Sequence, residues 1–340
     1  ISHGSRNITE QGLSKSSAKL VPAGTVLFTS RAPIGYIAIA KKEVSTNQGF
    51  KSLICNESLA HNEFLYYLLK HKTPSIEAIA SGSTFKEVSG GVLKDFIVEL
   101  PSLKTQKKIA RILSTLDDKI ELNLKMNQTL EEMAQALFKS WFVDFDPVHA
   151  KANASSNADY DQIAKELGIS REVLDLFPDE FEESELGMIP KGWELKELSE
   201  VIDFLEGPGL RNWQYTNSEE GTKFINIRCI KNMDLELSTA NRITNEEAQG
   251  KYQHFLLEEN DIVISTSGTL GRFAIVRAEH LPLMLNTSVI RMRPKYPFCT
   301  FAYLISYAGN QLQVELEKRA TGSVQRNFGP THLKQIQMVI

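Results

Sequence analysis

GTVLFTSRAPIGYIAIA, residues 24–40, and NDIVISTSGTLGRFAIV, residues 260–276, are one pattern written twice. In each, an apolar β-branched run leads into a turn with Gly or Pro and then a second apolar run, which predicts a hairpin around a buried strand. The agreement extends on both sides. Ile8-Thr9-Glu10 recurs as Ile243-Thr244-Asn245, Gly35 falls on Gly271, and Asn47 meets Asn286. FLYYLL from Phe64 meets FAYLIS from Phe301, SGSTFKEV from Ser81 meets TGSVQRNF from Thr321, and Leu93-Lys94 meets Leu333-Lys334. The offset stays between 235 and 240. Solenoid repeats are roughly 20–50 residues long, so a period of this size means a duplicated domain. EFLYYLLKH and FAYLISYAGNQLQVELEKRA are apolar at helical spacing, so each copy reads as an α+β unit that ends in a Gly-Ser loop and a last strand.

The sequence between the copies is of another kind. From Leu103 to Phe142 there is neither Pro nor Gly; Ile109, Leu116, Leu130 and Leu137 recur in sevens, and Ile112, Met126 and Met133 fill a second seam. This spacing predicts a long helix with a coiled-coil-type stripe, on which Asn123 is a polar residue able to fix register. At about 1.5 Å per residue it spans roughly 60 Å, and a lone helix with one apolar stripe needs a partner helix. The acidic, turn-rich segment from Ala150 to Pro190 reads as a linker with one short helix.

Hydrophobic residues at 42% and charged residues at 24% of the 340 fit a globular chain of two or three domains. No apolar run approaches the roughly 18 residues of a membrane helix, and ISHGSRNITEQG lacks a signal-peptide layout. Cys55, Cys229 and Cys299 show no metal spacing, and a reducing cytoplasm is the expected compartment. The net charge of −4 conceals an uneven distribution. Residues 1–100 hold 11 Lys+Arg and 8 Asp+Glu, residues 101–190 hold 10 and 17, and residues 191–340 hold 17 of each. The acid lies in the middle, which permits DNA contact through local basic loops on either side.

LVPAGTVLFTSRAPIGYIAIA, then LPSLKTQKKIARILSTLDDKIELNLKMNQTLEEMAQALFKSWFVDFDPVHAK, then GMIPKGWELKEL occur in that order. The chain thereby resembles the specificity subunits of type I restriction–modification enzymes over essentially its whole length. SWFVDFDP, from Ser140 to Pro147, is the most specific part. The resemblance implies two homologous mixed α/β target-recognition domains joined by a long coiled-coil-type helix, each domain reading one half of a split site on double-stranded DNA. Two methyltransferase subunits would dock on the spacer region, and motor–nuclease subunits would complete the complex. S-adenosylmethionine, ATP and Mg²⁺ are expected on those partners, with no cofactor and no metal in this chain. Residues 1–100 then correspond to the later part of a first recognition domain, 101–149 to the spacer helix and its exit, 150–188 to an acidic linker, and 189–340 to a second domain. GWELKELSEVIDFLEG, from Gly192, has no counterpart before Ile1, and a second spacer helix is expected after Ile340.

Reading DNA needs donors and acceptors on loops that reach base edges, with cations on phosphates. The alignment nominates Ser30, Arg31 and Tyr36 in the first hairpin and Thr266, Ser267, Thr269 and Arg272 in the second. The late loops contribute Ser83, Thr84 and Lys86, against Ser323, Gln325, Arg326 and Asn327. Arg211, Asn212, Lys223 and Arg228 are further candidates. Scaffold positions agree between the copies while these tips differ, as two domains with one fold and different half-sites require. For Trp141, Phe142, Asp144, Phe145 and Asp146 two readings stand: a docking surface for methyltransferase subunits, or a helix end packed into its own domain.

Enzyme motifs are scarce. There is no Pro-Pro pair for an adenine methyltransferase motif and no Walker A loop, and Gly207-Pro208-Gly209 is too short for a nucleotide loop. Pro178-Asp179 with Glu194-Leu195-Lys196 fits the loose P-D…E-x-K pattern of metal-dependent nucleases. A self-contained restriction endonuclease is therefore the alternative to a non-catalytic recognition subunit, and a scaffold that no longer binds DNA is a third.

Overall fold

Val26–Ser30 (β1), Ile34–Ile39 (β2) and Phe50–Leu53 (β3) form an antiparallel sheet in the order β2-β1-β3. They belong to a computed structural model that describes all residues except 2, 5, 83–85, 268–270 and 320–327. The central strand is buried because its apolar run is covered on both faces. Val26 and Phe28 pack with Ile34 against Leu69 and Ile76 of the helix Asn62–Ala78 (α1), and Val88 closes the cluster. Gly35 makes that helix–sheet approach possible. Its φ is +94°, and a Cβ there would lie 2.3 Å from Thr73 Cγ2 of α1.

The second copy repeats this arrangement, down to the bonds at the base of the hairpin. Ile202–Glu206 (β4), Ile262–Ser265 (β5), Phe273–Ile275 (β6) and Val289–Pro294 (β7) form an antiparallel sheet in the order β6-β5-β7-β4. The base of the first hairpin is closed by Gly24 N–H to Ala40 O (2.8 Å), Ala40 N–H to Thr25 O (3.0 Å) and Thr25 N–H to Pro22 O (3.2 Å). The base of the second is closed by Asn260 to Val276 (2.8 Å), Val276 to Asp261 (2.8 Å) and Asp261 to Glu258 (3.2 Å). Gly24 and Asn260 both sit at positive φ, +86° and +69°, a region that glycine enters freely and asparagine tolerates.

Two differences separate the copies. The second sheet has the extra strand β4, and the second unit also carries a small sheet in which Asn241–Ile243 and Thr222–Phe224, from between β4 and β5, join Leu283–Met284, from between β6 and β7, over a core of Phe224, Ile243, Tyr252 and Met284. The last strand, expected in both, forms in the second only, where Gln337–Val339 pairs with Leu195–Glu197. In the first copy the equivalent stretch has no strand to pair with among the described residues, and Ile97 is 90% exposed.

The chain divides into two compact units, Ile1–Gln128 and Thr129–Ile340. One helix, Leu103–Phe142 (α2), has residues in both and lies within the Gly- and Pro-free run between Pro101 and Pro147. Within the first unit Gln106, fully buried, accepts from His61 N–H (2.9 Å) and donates to the carbonyls of Leu59 and Pro101 (2.9 and 2.8 Å), and Tyr67 donates to Asp117 (2.9 Å). Within the second, Asn310 donates to Gln135 O (3.0 Å) and Phe138 is buried in the main core. Between these anchors Leu116, Ile120, Leu122, Leu124, Met126, Leu130 and Met133 are all more than half exposed.

The acidic segment holds more structure than a linker with one short helix. Tyr160–Leu167 and Arg171–Asp175 are both helical and pack Tyr160, Ala164 and Leu174 together, and Phe181–Ser184 pairs with Gly187–Pro190 as a hairpin. The buried Lys151 ammonium donates to the carbonyls of Phe177 and Leu174 and lies 5.1 Å from the Tyr160 ring centroid. Charged residues on the outer faces hide this small core from a composition-based reading.

Gly35→Ala is expected to destabilise the first unit by about 2–4 kcal/mol, through strained φ and the clash with Thr73. Adding Thr73→Ala should recover only the steric part, as read from urea unfolding of the single and double variants.

Candidate nucleic-acid interface

In each unit one residue gathers three loops at the same end of the sheet. In the first, Ser30 N–H donates to Gly49 O (2.8 Å) and Ser30 O accepts from Val88 N–H (2.9 Å). In the second, Thr266 N–H donates to Ser288 O (3.0 Å) and Thr266 O accepts from Phe328 N–H (3.2 Å). The hairpin turn, the turn before the third strand and the start of the late segment are thereby held side by side. The second unit adds a fourth loop, which leaves β4. Gly207 N–H donates to Val289 O (3.1 Å), Thr287 N–H to Pro208 O (2.9 Å) and Leu210 N–H to Asn286 Oδ1 (3.3 Å). A Cβ on Gly207 would lie 2.3 Å from Asn286 O, so this loop fits only with glycine there.

Burial sorts the candidates that sequence nominated. Ser30 and Thr266 are 0% and 4% exposed, and Ser30 Oγ donates to Gly49 O (3.2 Å). Both are buried and so serve the scaffold in this structure, which leaves their exposed neighbours as the candidates for base contact. Arg31, Tyr36, Lys86, Arg211, Asn212, Arg228 and Arg272 are exposed, while Lys223 and Ser267 are half-buried. Ser83, Thr84, Thr269, Ser323, Gln325, Arg326 and Asn327 lie outside the described residues. Arg31 and Lys51 face Glu87 at 3.9 and 3.8 Å; partly exposed pairs of this kind contribute at most about 1 kcal/mol, so a phosphate can compete for either cation. Tyr36 and Arg272 occupy equivalent positions, each following the glycine packed on the helix behind the sheet. One position therefore presents an aromatic ring in one unit and a guanidinium in the other.

Comparison with known proteins agrees with this duplication. The type I restriction modification DNA specificity domain matches twice, over residues 1–132 and 190–340. The chain belongs to the type I restriction–modification DNA specificity family. Among relatives of this specificity chain, the MjaIX specificity subunit of Methanocaldococcus jannaschii is 33% identical over 90% of the chain and 66% of that protein. The HindI specificity subunit of Haemophilus influenzae is 28% identical over 84% of the chain and 68% of that protein. The chain thus spans about two thirds of the length of these relatives. The S subunit structure from M. genitalium aligns over 94% of the chain and 72% of its own, at 15% identity with a TM-score of 0.46.

The SWFVDFDP run of this specificity chain closes an internal aromatic clasp. Phe142 lies 5.2 Å from both Phe138 and Tyr303 and 5.8 Å from Trp193. Trp141 meets Phe177 at 5.6 Å, and Phe145 meets Trp193 at 5.9 Å. Tyr303 is fixed by donating to Val339 O (2.7 Å). Asp144 pairs with Lys139, and Asp146 accepts from Ser140 Oγ (2.7 Å). Trp141, Phe142 and Phe145 thus take part in a packed helix end, where each is half-buried and keeps some exposed surface.

The nuclease-like residues are occupied elsewhere. Glu194 pairs with Lys196 at 2.5 Å, and Asp179 accepts from Tyr160 Oη (3.3 Å). Among the described residues no three His, Cys, Asp or Glu stand close enough together to hold a metal ion. Burial raises the thiol pKa of Cys299 to about 11 and pushes Cys55 and Cys229 up as well, so none is a ready nucleophile. No helix among the described residues is long and apolar enough to cross a membrane.

Phe142→Ala is expected to cost about 3 kcal/mol of stability in the second unit. Loss of its ring beside Trp193 should also appear as a changed tryptophan emission in the native state.

Proposed function

We propose that the chain is the DNA-reading component of a type I restriction–modification complex, non-catalytic in itself. Each unit reads one half of a bipartite site on double-stranded DNA. The observation that carries this reading is the pairing of identical main-chain pins with unlike exposed tips, Tyr36 in one unit where Arg272 stands in the other. A common scaffold with different tips is what reading two different half-sites demands. Arg31 and Arg272 are assigned to guanine edges or phosphates, and Lys86, Arg211, Asn212, Lys223, Arg228 and Ser267 to the surrounding contacts. The recognition domains are assigned to 1–100 and 189–340, and the spacer to 101–149.

In this proposal the exposed stripe of α2 is covered, in the assembled protein, by a second helix of the same kind. Two methyltransferase subunits dock on that spacer, and motor–nuclease subunits join them. S-adenosylmethionine, ATP and Mg²⁺ act on those partners, in the cytoplasm beside the DNA. The specificity-subunit names of the relatives support the assignment. The lone-nuclease alternative has no cluster of metal-binding side chains in its favour among the described residues.

Arg272→Ala should weaken binding to the chain's own site by about 5–100-fold if it grips a base, with relaxed preference at one position. If it holds a phosphate instead, the loss should be uniform across sequences and the salt slope should fall by about one. Ser30→Ala should leave DNA affinity unchanged. Purified chain with Mg²⁺ and plasmid should not cleave; cleavage without partners would overturn the assignment in favour of the nuclease.

Leu116→Lys with Leu130→Lys should leave the unfolding of both units unchanged, since both side chains are more than half exposed. The same pair should abolish methylation by a reconstituted complex, as read by sequencing methylated adenines.

A further inference from the structure

One strongly exposed side chain on the loop after β4 carries no charge. Trp213 is 81% exposed, whereas the other two tryptophans are packed in the clasp. Leaving an indole in water forgoes roughly 1.5–3 kcal/mol of burial, so an exposed tryptophan is an expensive ornament unless something covers it. The turn that carries it cannot fold it inward. Leu210 on one side is buried in the small second core, and Gln214 on the other is buried too. Gln214 is held by its side chain, which donates to Tyr252 Oη (2.9 Å) and accepts from Arg211 N–H (3.0 Å). With both flanks fixed, Arg211, Asn212 and Trp213 project together.

The turn also lies where the loops converge. Leu210 N–H bonds Asn286 of the turn before β7, and Ser288 of that same turn bonds Thr266. An aromatic face beside an exposed arginine and an exposed asparagine, at the rim of a loop cluster, is chemistry suited to nucleobases. A base offers a π-face for the ring, while its phosphate and polar edges suit the neighbours. We infer that Trp213 is a stacking contact for nucleobases, its indole resting on or wedging against the bases of the bound duplex. The inference rests on the DNA-reading proposed above and adds a contact made through shape and stacking rather than hydrogen bonding.

The test uses the full chain and a randomised duplex pool enriched on it. Acrylamide quenching of tryptophan emission should be dominated by Trp213, which Trp213→Phe assigns. On adding the enriched duplex, that quenching should fall several-fold. Trp213→Ala should lose about ten-fold in affinity with an unchanged unfolding midpoint, and Trp213→Phe should keep most of it. Enrichment and tight binding with Trp213 still fully quenchable, and Trp213→Ala still binding normally, would overturn the stacking role and leave the DNA-reading standing. Protection of Trp213 by methyltransferase subunits without DNA would overturn it as well. A pool that never enriches would overturn both.

Discussion

One main-chain position in each unit is bonded twice, and the loop cluster proposed to read DNA depends on it. The amide of Ser30 or Thr266 holds the turn before the third strand, and its carbonyl holds the start of the late segment. Each position is buried, so water does not compete for these bonds, and breaking them would strand polar groups at roughly 1–3 kcal/mol each. Because the bonding groups are backbone, the requirement falls on geometry and hardly at all on side-chain identity. That is how serine in one unit and threonine in the other serve the same purpose while the residues just beyond them diverge.

The long helix and the duplication were legible in the sequence because their signals are long-range and redundant. A run without Gly or Pro between Pro101 and Pro147 left one reading, and the helix Leu103–Phe142 fills most of it. The hairpins were legible because Gly35 and Gly271 stand at the one place where a side chain would meet the helix behind. Other features had only short-range signals. The core of the acidic segment is three residues, Tyr160, Ala164 and Leu174, spaced among charges that dominate any local average. Ser30 and Thr266 look like turn residues, and only tertiary bonding shows that they are buried. A tryptophan such as Trp213 suggests core in a sequence, and its exposure follows only from the anchoring of Leu210 and Gln214 on either side.

The aromatic run at the end of α2 shows the same ambiguity at a larger scale. Trp141, Phe142 and Phe145 could equally fit a partner or the chain's own fold, and composition offers no means to choose. In the structure Tyr303, Trp193 and Phe177, from three separate stretches of chain, meet the run and leave Trp141, Phe142 and Phe145 half-buried. The opposite holds for the middle of the helix. There a run of apolar residues from Leu116 to Met133 is more than half exposed, and nothing among the described residues covers it.

That bare middle has a genetic consequence. Each end of the helix is fastened within its own unit, by Gln106 and Asp117 on one side and by Gln135 and Phe138 on the other. A crossover between two related genes anywhere in the codons for 118–133 would join two intact halves and split no core. Inheritance can therefore trade one reader for another while the folding of both is passed on untouched.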